Sequence, residues 1–338
     1  MPHLEIREGS ALGSRLRLSV APSASASTAG VDAAWAAVQE VVDEVDRAMS
    51  RFRDDSELTL LNRRLAHRAG ATVLAAPAFI PSRALAAALV TADRARRMTG
   101  GRFDARVVVD LERLGAAGMP QGAAGASLGA AGDPRAHALR RASRPLVARE
   151  GRGPLALLAA ADLGGLGKGL ALRWARSRAA AELGDASFLL DAGGDITSSG
   201  MPVGLGEPGW SIGIEDPATA GQVVATVELR PDQSIATSSV RIGRWAAPDG
   251  RAVHHLIDPS TGEPGGAGLR AVTVAWPDPA WAEVWSKALF LEGAHGIAMA
   301  ARRRGLAAWW VDDAGELSMT PAARVQTTWV RSEASSAA

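Results

Sequence analysis

The chain contains no cysteine and no tyrosine. Without cysteine there is no disulfide, zinc–thiolate site, iron–sulfur cluster, cysteine nucleophile or lipid-bearing cysteine. An excess of one charge is also missing. With 37 Lys+Arg against 36 Asp+Glu, the net charge is +1, which argues against a nucleic-acid partner because neutralising phosphates takes a basic surplus. No run approaches the roughly 18 apolar residues of a membrane-spanning helix; the richest, Leu155–Gly169, is broken by Asp162, Lys168 and several glycines. The opening MPHLEIREGS holds two acids and no apolar run, so we expect no secretory signal and no membrane anchor. These absences predict a cytoplasmic protein.

What is present is ordinary for a globular chain: 338 residues, 47% hydrophobic and 22% charged, enough for one large or two modest domains. Leu12–Val20 alternates apolar and polar residues as a half-buried strand does, and Pro22–Gly30 reads as a loop. Val31, Trp35, Val38, Val42, Val45 and Met49 recur at three- and four-residue spacing, which predicts an amphipathic helix. Ser82 caps a second helix, Arg83–Thr99, ended by Gly100-Gly101. Residues 115–154 predict an irregular connection with a short helix near His137–Arg141. Leu170–Leu183 reads as a helix closed by Gly184, and Pro279–Leu291 as another, followed by one before Gly305. Strands are expected at Ser187–Asp191, Trp210–Ile214, Val223–Leu229, Ser234–Ser238, His254–Ile257 and Arg270–Trp276, with a hairpin of Ala308–Val311 and Leu317–Met319. Helices early and strands late predict an α+β fold.

Several segments carry possible chemistry. In Asp162–Ala171 (DLGGLGKGLA) glycines allow close backbone approach, a following helix offers free N–H groups to an anion, and Lys168 adds positive charge. The segment is neither a Walker loop, which needs Gly at Asp162 and Ser or Thr at Gly169, nor a dinucleotide fingerprint, which needs Gly at Leu170. A tight turn into a helix accounts for it equally well. LLDAGGDI, Leu189–Ile196, is a strand entering a glycine turn between two aspartates. HHLIDPSTG, His254–Gly262, joins a possible base, His255, to an Asp-Pro turn. MSRFRDDSELTLLN, Met49–Asn62, reads as a helix end, a loop and a capped helix start. There is no HExxH, no GxSxG, and no metal-ligand spacing among the histidines.

Taken in order, these segments closely resemble the ApbE family of FAD:protein FMN transferases. Met49–Asn62, Gly100–Asp104, Asp162–Ala171, Asp191–Ile196, His255–Pro264, Ala271–Pro277 and Ala288–Gly293 match the family's successive motifs over about Leu12 to Gly315. The resemblance implies a two-lobed α+β fold with mixed or antiparallel sheets flanked by helices, an FAD cleft between the lobes, and one domain over 1–330 with a disordered tail at 331–338. It also implies a Mg²⁺-dependent transferase that moves FMN from FAD to a threonine or serine hydroxyl of an acceptor protein and releases AMP. Position by position, Leu12, Phe52, Arg102, Phe103, Asp104, Asp162, Lys168 and Ile257 would line the FAD site. His255 would stand at the base position, and Gly165, Glu283 and Lys287 at the metal positions.

The last pair departs from the family. Its metal helix reads ADALATALF, and here it reads AEVWSKALF, so Glu283 replaces an aspartate and Lys287 a threonine. A protonated lysine cannot ligate a hard cation and repels it. Three readings stay open at this point: Lys287 swings aside from a metal held by Glu283 and Gly165; Lys287 pairs with Glu283 and takes the cation's place; or the protein binds FAD, or hydrolyses its pyrophosphate, with little or no transfer. Leu12 for a usual Met is a mild change, and Ser239 for a usual Gly is expected to narrow the pocket.

Overall fold

Alternating burial builds the centre of the molecule. Along Phe188–Ala192, Phe188, Leu190 and Ala192 enter one hydrophobic cluster while Leu189 enters another, as a strand buried on both faces must arrange its side chains. The computed structural model describes residues 3–23, 27–68, 80–117, 145–149, 155–202 and 209–331. In chain order these hold β1 (Glu5–Ala11), β2 (Ser14–Val20), α1 (Thr28–Met49), α2 (Glu57–Arg68), α3 (Arg83–Met98), a 3₁₀ turn (Ala105–Val107) running into α4 (Val108–Arg113), β3 (Val147–Arg149), β4 (Leu155–Leu157) and α5 (Gly167–Leu183). There follow β5 (Phe188–Ala192), β6 (Asp195–Ser199), β7 (Trp210–Glu215), β8 (Val223–Leu229), β9 (Ser234–Ser239), β10 (Arg244–Ala246), β11 (Ala252–His254), β12 (Ile257–Asp258), β13 (Glu263–Pro264) and β14 (Leu269–Trp276). The chain closes with α6 (Pro279–Phe290), α7 (Gly293–Arg303), β15 (Ala307–Asp312), β16 (Leu317–Met319), α8 (Pro321–Arg324) and β17 (Thr327–Val330).

The main sheet has eight strands in the order β1-β2-β5-β6-β9-β14-β15-β16. Every neighbouring pair in it is antiparallel, so the expected choice between mixed and antiparallel resolves to antiparallel. Helices α1, α5, α6 and α7 cover one face, and the three-stranded sheet β17-β8-β7 packs on the other. On α1 the buried residues Val31, Ala34, Val38, Val41, Val42, Val45, Ala48 and Met49 form one stripe. It meets α5, where Ala171, Ala175 and Ala179 are buried at four-residue spacing and let the two helices approach closely.

Several boundaries differ from the sequence reading. Leu12 is not in a strand: with Gly13 it makes the β1–β2 turn, at φ 51° and 71°, and β1 is an additional edge strand. Helix α1 starts three residues early because the Ser27 side chain accepts the Gly30 N–H. The expected strand His254–Ile257 is interrupted at His255, between β11 and β12. Helix α4 has no counterpart in the sequence reading. The expected helix near His137–Arg141 and the tail from 332 lie outside the described residues.

Helix α6 is held at its start by Asp278, whose Oδ1 accepts the Trp281 N–H at 3.1 Å and pairs with Arg173 of α5 at 2.6 Å. Asp278→Ala removes a cap and an interhelix tie together. It is expected to lower the unfolding free energy by about 1–2 kcal/mol, measured by urea denaturation.

Candidate functional site

The chain folds around a cavity of about 480 Å³. Its walls come from chain segments far apart in sequence: the β1–β2 turn, the end of α1 and the loop after it, the Arg102–Ala105 turn, the Asp162–Lys168 turn, the His255–Ile257 break, and α6. Leu12, Phe52, Arg102, Phe103, Asp104, Asp162, Gly165, Lys168, His255, Ile257 and Lys287 all line it. Glu283 stands just behind, 1% exposed, in contact with Lys287. Ser239 does not line the cavity; its hydroxyl accepts the Arg241 N–H at the end of β9.

The two glycine-rich turns are brought together by an ion pair that no local pattern announces. The Lys168 ammonium, on the first turn of α5, lies 2.6 Å from Asp195 Oδ2 at the start of β6. Burial alone would depress its pKa, but Asp195 and Glu283 outweigh that and hold it above the ordinary lysine value. Asp162 accepts from Arg51 at 2.7 Å and from the Gly164 N–H at 2.9 Å. Arg51 in turn lies over the ring of Phe52, 4.7 Å from its centroid. Phe52 itself is 69% exposed at the rim, offering an aromatic face to an incoming ring system. Just upstream of Asp162, the Asn62 amide makes both hydrogen bonds to the backbone of Ala161, at 2.8 and 3.0 Å, and so fixes that turn to α2.

Other expected site residues are committed to the scaffold. Asp104 takes Arg106 in a bidentate pair at 2.8 and 2.6 Å, both side chains buried. Arg102 reaches Asp258 at 3.4 Å and Glu292 at 3.2 Å, tying the first half of the chain to the second across the cavity. Ile257 is buried in a small cluster with Leu111 and Val253.

His255 sits where the strand breaks. Its backbone N–H donates to Gly243 O at 3.0 Å, and its ring packs so tightly on Gly243 that a Cβ there would overlap Nδ1. Nδ1 is buried with no hydrogen-bond partner among the described residues. Burial first, and the charge of Lys287 second, lower the imidazole pKa to about 4. The ring is therefore neutral at physiological pH and free to accept a proton.

The three expected metal positions do not offer a hard cation a site. Glu283 has both oxygens engaged: Oε2 accepts the Gly169 N–H at 2.8 Å, and Oε1 accepts from Lys287 Nζ at 3.1 Å. The lysine brings donors and no lone pair, whereas Mg²⁺ seeks about six oxygens. Among the described residues no group of three His, Cys, Asp or Glu could hold a metal ion.

Fold and lining together define an antiparallel α+β protein with a pocket that carries an exposed aromatic, Phe52, and two lysines each paired with a buried carboxylate. The chain belongs to the ApbE family, whose model matches residues 12–310. It is similar to the FAD:protein FMN transferase of Salmonella typhimurium, 32% identical over 155 residues that make up 46% of this chain and 43% of that one. A protein of the same name from Haemophilus influenzae is 26% identical over 286 residues, 81% of this chain and 77% of that one. The first of these alignments thus spans less than half of the relative's length. Among solved structures, the ApbE protein of Thermotoga maritima superposes with a TM-score of 0.78 at 22% identity, over 96% of this chain and 99% of that one. The flavinyl transferase ApbE of Pseudomonas stutzeri, in its apo form, gives 0.75 at 23% over 96% and 97%. Among the described residues no helix is long and apolar enough to cross a membrane.

Proposed function

We propose that the chain takes FAD into this cavity and transfers its FMN moiety to a threonine or serine hydroxyl of an acceptor protein. Family membership supports the reaction class. The observation that carries the reading for this chain is the convergence of Lys168, Lys287, Arg102 and His255 on one cavity of a size suited to a cofactor.

The chemistry follows from that lining. The acceptor's hydroxyl oxygen attacks the phosphorus that bears the riboflavin; the new O–P bond forms as the P–O–P bond to the adenylate breaks. The bridging electron pair leaves with AMP, and the hydroxyl proton passes to the imidazole of His255. Such transfers depend mainly on positioning and charge neutralisation, which the two ammonium groups and the glycine turn provide. Phe52 stacks on a ring of the cofactor, and Asp162, held by Arg51, shapes the wall beside it. The acceptor supplies the nucleophile, so the enzyme needs none of its own.

The Lys287–Glu283 pair favours a second reading, in which FAD is bound, or cleaved by water to FMN and AMP, without transfer. One assay separates the two. Purified protein is incubated with FAD and a cell extract, then examined for AMP by chromatography and for covalent flavin fluorescence in a denaturing gel. A fluorescent band with AMP is the expected result. AMP with no band selects hydrolysis, and neither product overturns both reactions.

A further inference from the structure

We infer that the floor of this cavity is a metal-free diphosphate subsite, in which the Lys287 ammonium replaces a divalent cation and works together with that of Lys168. The inference rests on the proposed function only for the identity of the ligand as FAD; its own basis is geometric.

Each ammonium has its own buried carboxylate. Lys168 is held by Asp195 at 2.6 Å and Lys287 by Glu283 at 3.1 Å, and both cations also line the cavity. A buried carboxylate left without a partner is costly, so Glu283 needs a cation at this point, and the chain supplies a covalently attached one. Room for the lysine stem is built into the turn opposite. A Cβ at Gly165 would stand 3.1 Å from Lys287 Cε and 3.2 Å from its Cδ. Gly165 is not among the positive-φ residues, so its backbone does not demand glycine; its missing side chain leaves the space that the Lys287 stem and the Phe103 ring, 3.3 Å from such a Cβ, pack into. The second oxygen of Glu283 accepts the Gly169 N–H, which locks the carboxylate to the start of α5 and aims its other oxygen at the ammonium. Each ammonium is already balanced by its own carboxylate, so what the pair offers a diphosphate is not surplus charge but ammonium N–H donors held in place on the cavity wall.

The test uses the full chain and FAD, with binding read by flavin fluorescence in EDTA and in MgCl₂. The expected dissociation constants agree within about twofold. Lys287→Met, which keeps the stem and removes the charge, is expected to weaken FAD binding roughly 10- to 100-fold in both buffers. Lys287→Thr leaves Glu283 unpaired beside a hydroxyl. Titration of the apo proteins with Mn²⁺, followed by electron paramagnetic resonance, should show a one-to-one site in that variant and none in the wild type, with circular dichroism verifying that both are folded. Wild-type binding that needs Mg²⁺, or a wild-type Mn²⁺ site, overturns the inference and leaves the FAD assignment standing. No FAD binding in either buffer overturns the FAD assignment, and the inference with it.

Discussion

His255→Ala is expected to lower kcat for FMN transfer by about 10²–10⁴-fold, the usual contribution of a positioned base, while FAD binding stays within a few-fold. The ring lines the cavity, while its Nδ1 is buried against Gly243 with no hydrogen-bond partner among the described residues. Burial, Lys287, His254 and Arg51 all oppose its protonation, against the single favourable contact with Gly243, and its pKa falls to about 4. The sign of the pH dependence follows. Above that value the base is neutral and competent; as the pH drops through it, the imidazole protonates and transfer stops. The acid limb of kcat/KM, which reports the free enzyme, should therefore lie near pH 4 and not near 6.5. In the complex the phosphate charges offset Lys287, so the limb of kcat should lie above that of kcat/KM. Lys287→Met should raise both. An acid limb unchanged in His255→Ala, or turnover close to wild type, removes the histidine from the reaction.

Much of this site was legible because its parts are local patterns. Glycines before Lys168, the His-Leu-Ile-Asp-Pro turn and the run from Met49 to Asn62 each keep their motif in a few consecutive residues, and their order alone suggested one pocket. What the sequence hid are the pairings. Arg51 meets Asp162 across 111 residues, and Lys168 meets Asp195 by way of a helix and a strand. Neither partner differs locally from the many surface arginines and aspartates around it. Gly243 likewise looks like any turn glycine until His255 is found against it. The burial stripe of α1 was plain from its 3.6-residue period, whereas α5 shows scarcely any amphipathic pattern because alanines, not large apolar groups, face its neighbour. Its true start at Gly167 emerges only with the carboxylate of Glu283, from another helix, accepting a first-turn N–H. Of the three readings left open for Lys287, the arrangement found is the pair with Glu283, which an i,i+4 spacing permits but which composition alone could not choose.

The same helix junction carries the largest stability effect. Gly169→Ala is expected to destabilise the protein by about 3 kcal/mol or more, at or beyond the top of the usual overpacking range. Helix propensity predicts the opposite sign, since alanine is favoured over glycine inside a helix by up to about 1 kcal/mol. Sterics decide. A Cβ at residue 169 would stand 2.5 Å from Ala280 Cα, 2.7 Å from Pro279 O and 2.9 Å from Ala280 N. These are backbone atoms that cannot rotate away, so α5 and α6 must separate. Separation also stretches the Gly169–Glu283 hydrogen bond and leaves a buried carboxylate less well held. Gly167→Ala, in the same turn, is the control. Nothing lies within 4 Å of a Cβ there, so this variant should unfold at the wild-type urea concentration or slightly above it. Equal stability for the two alanine variants would mean that α5 and α6 do not touch at Gly169, and the position assigned to Glu283, and through it to Lys287, would fall with that contact.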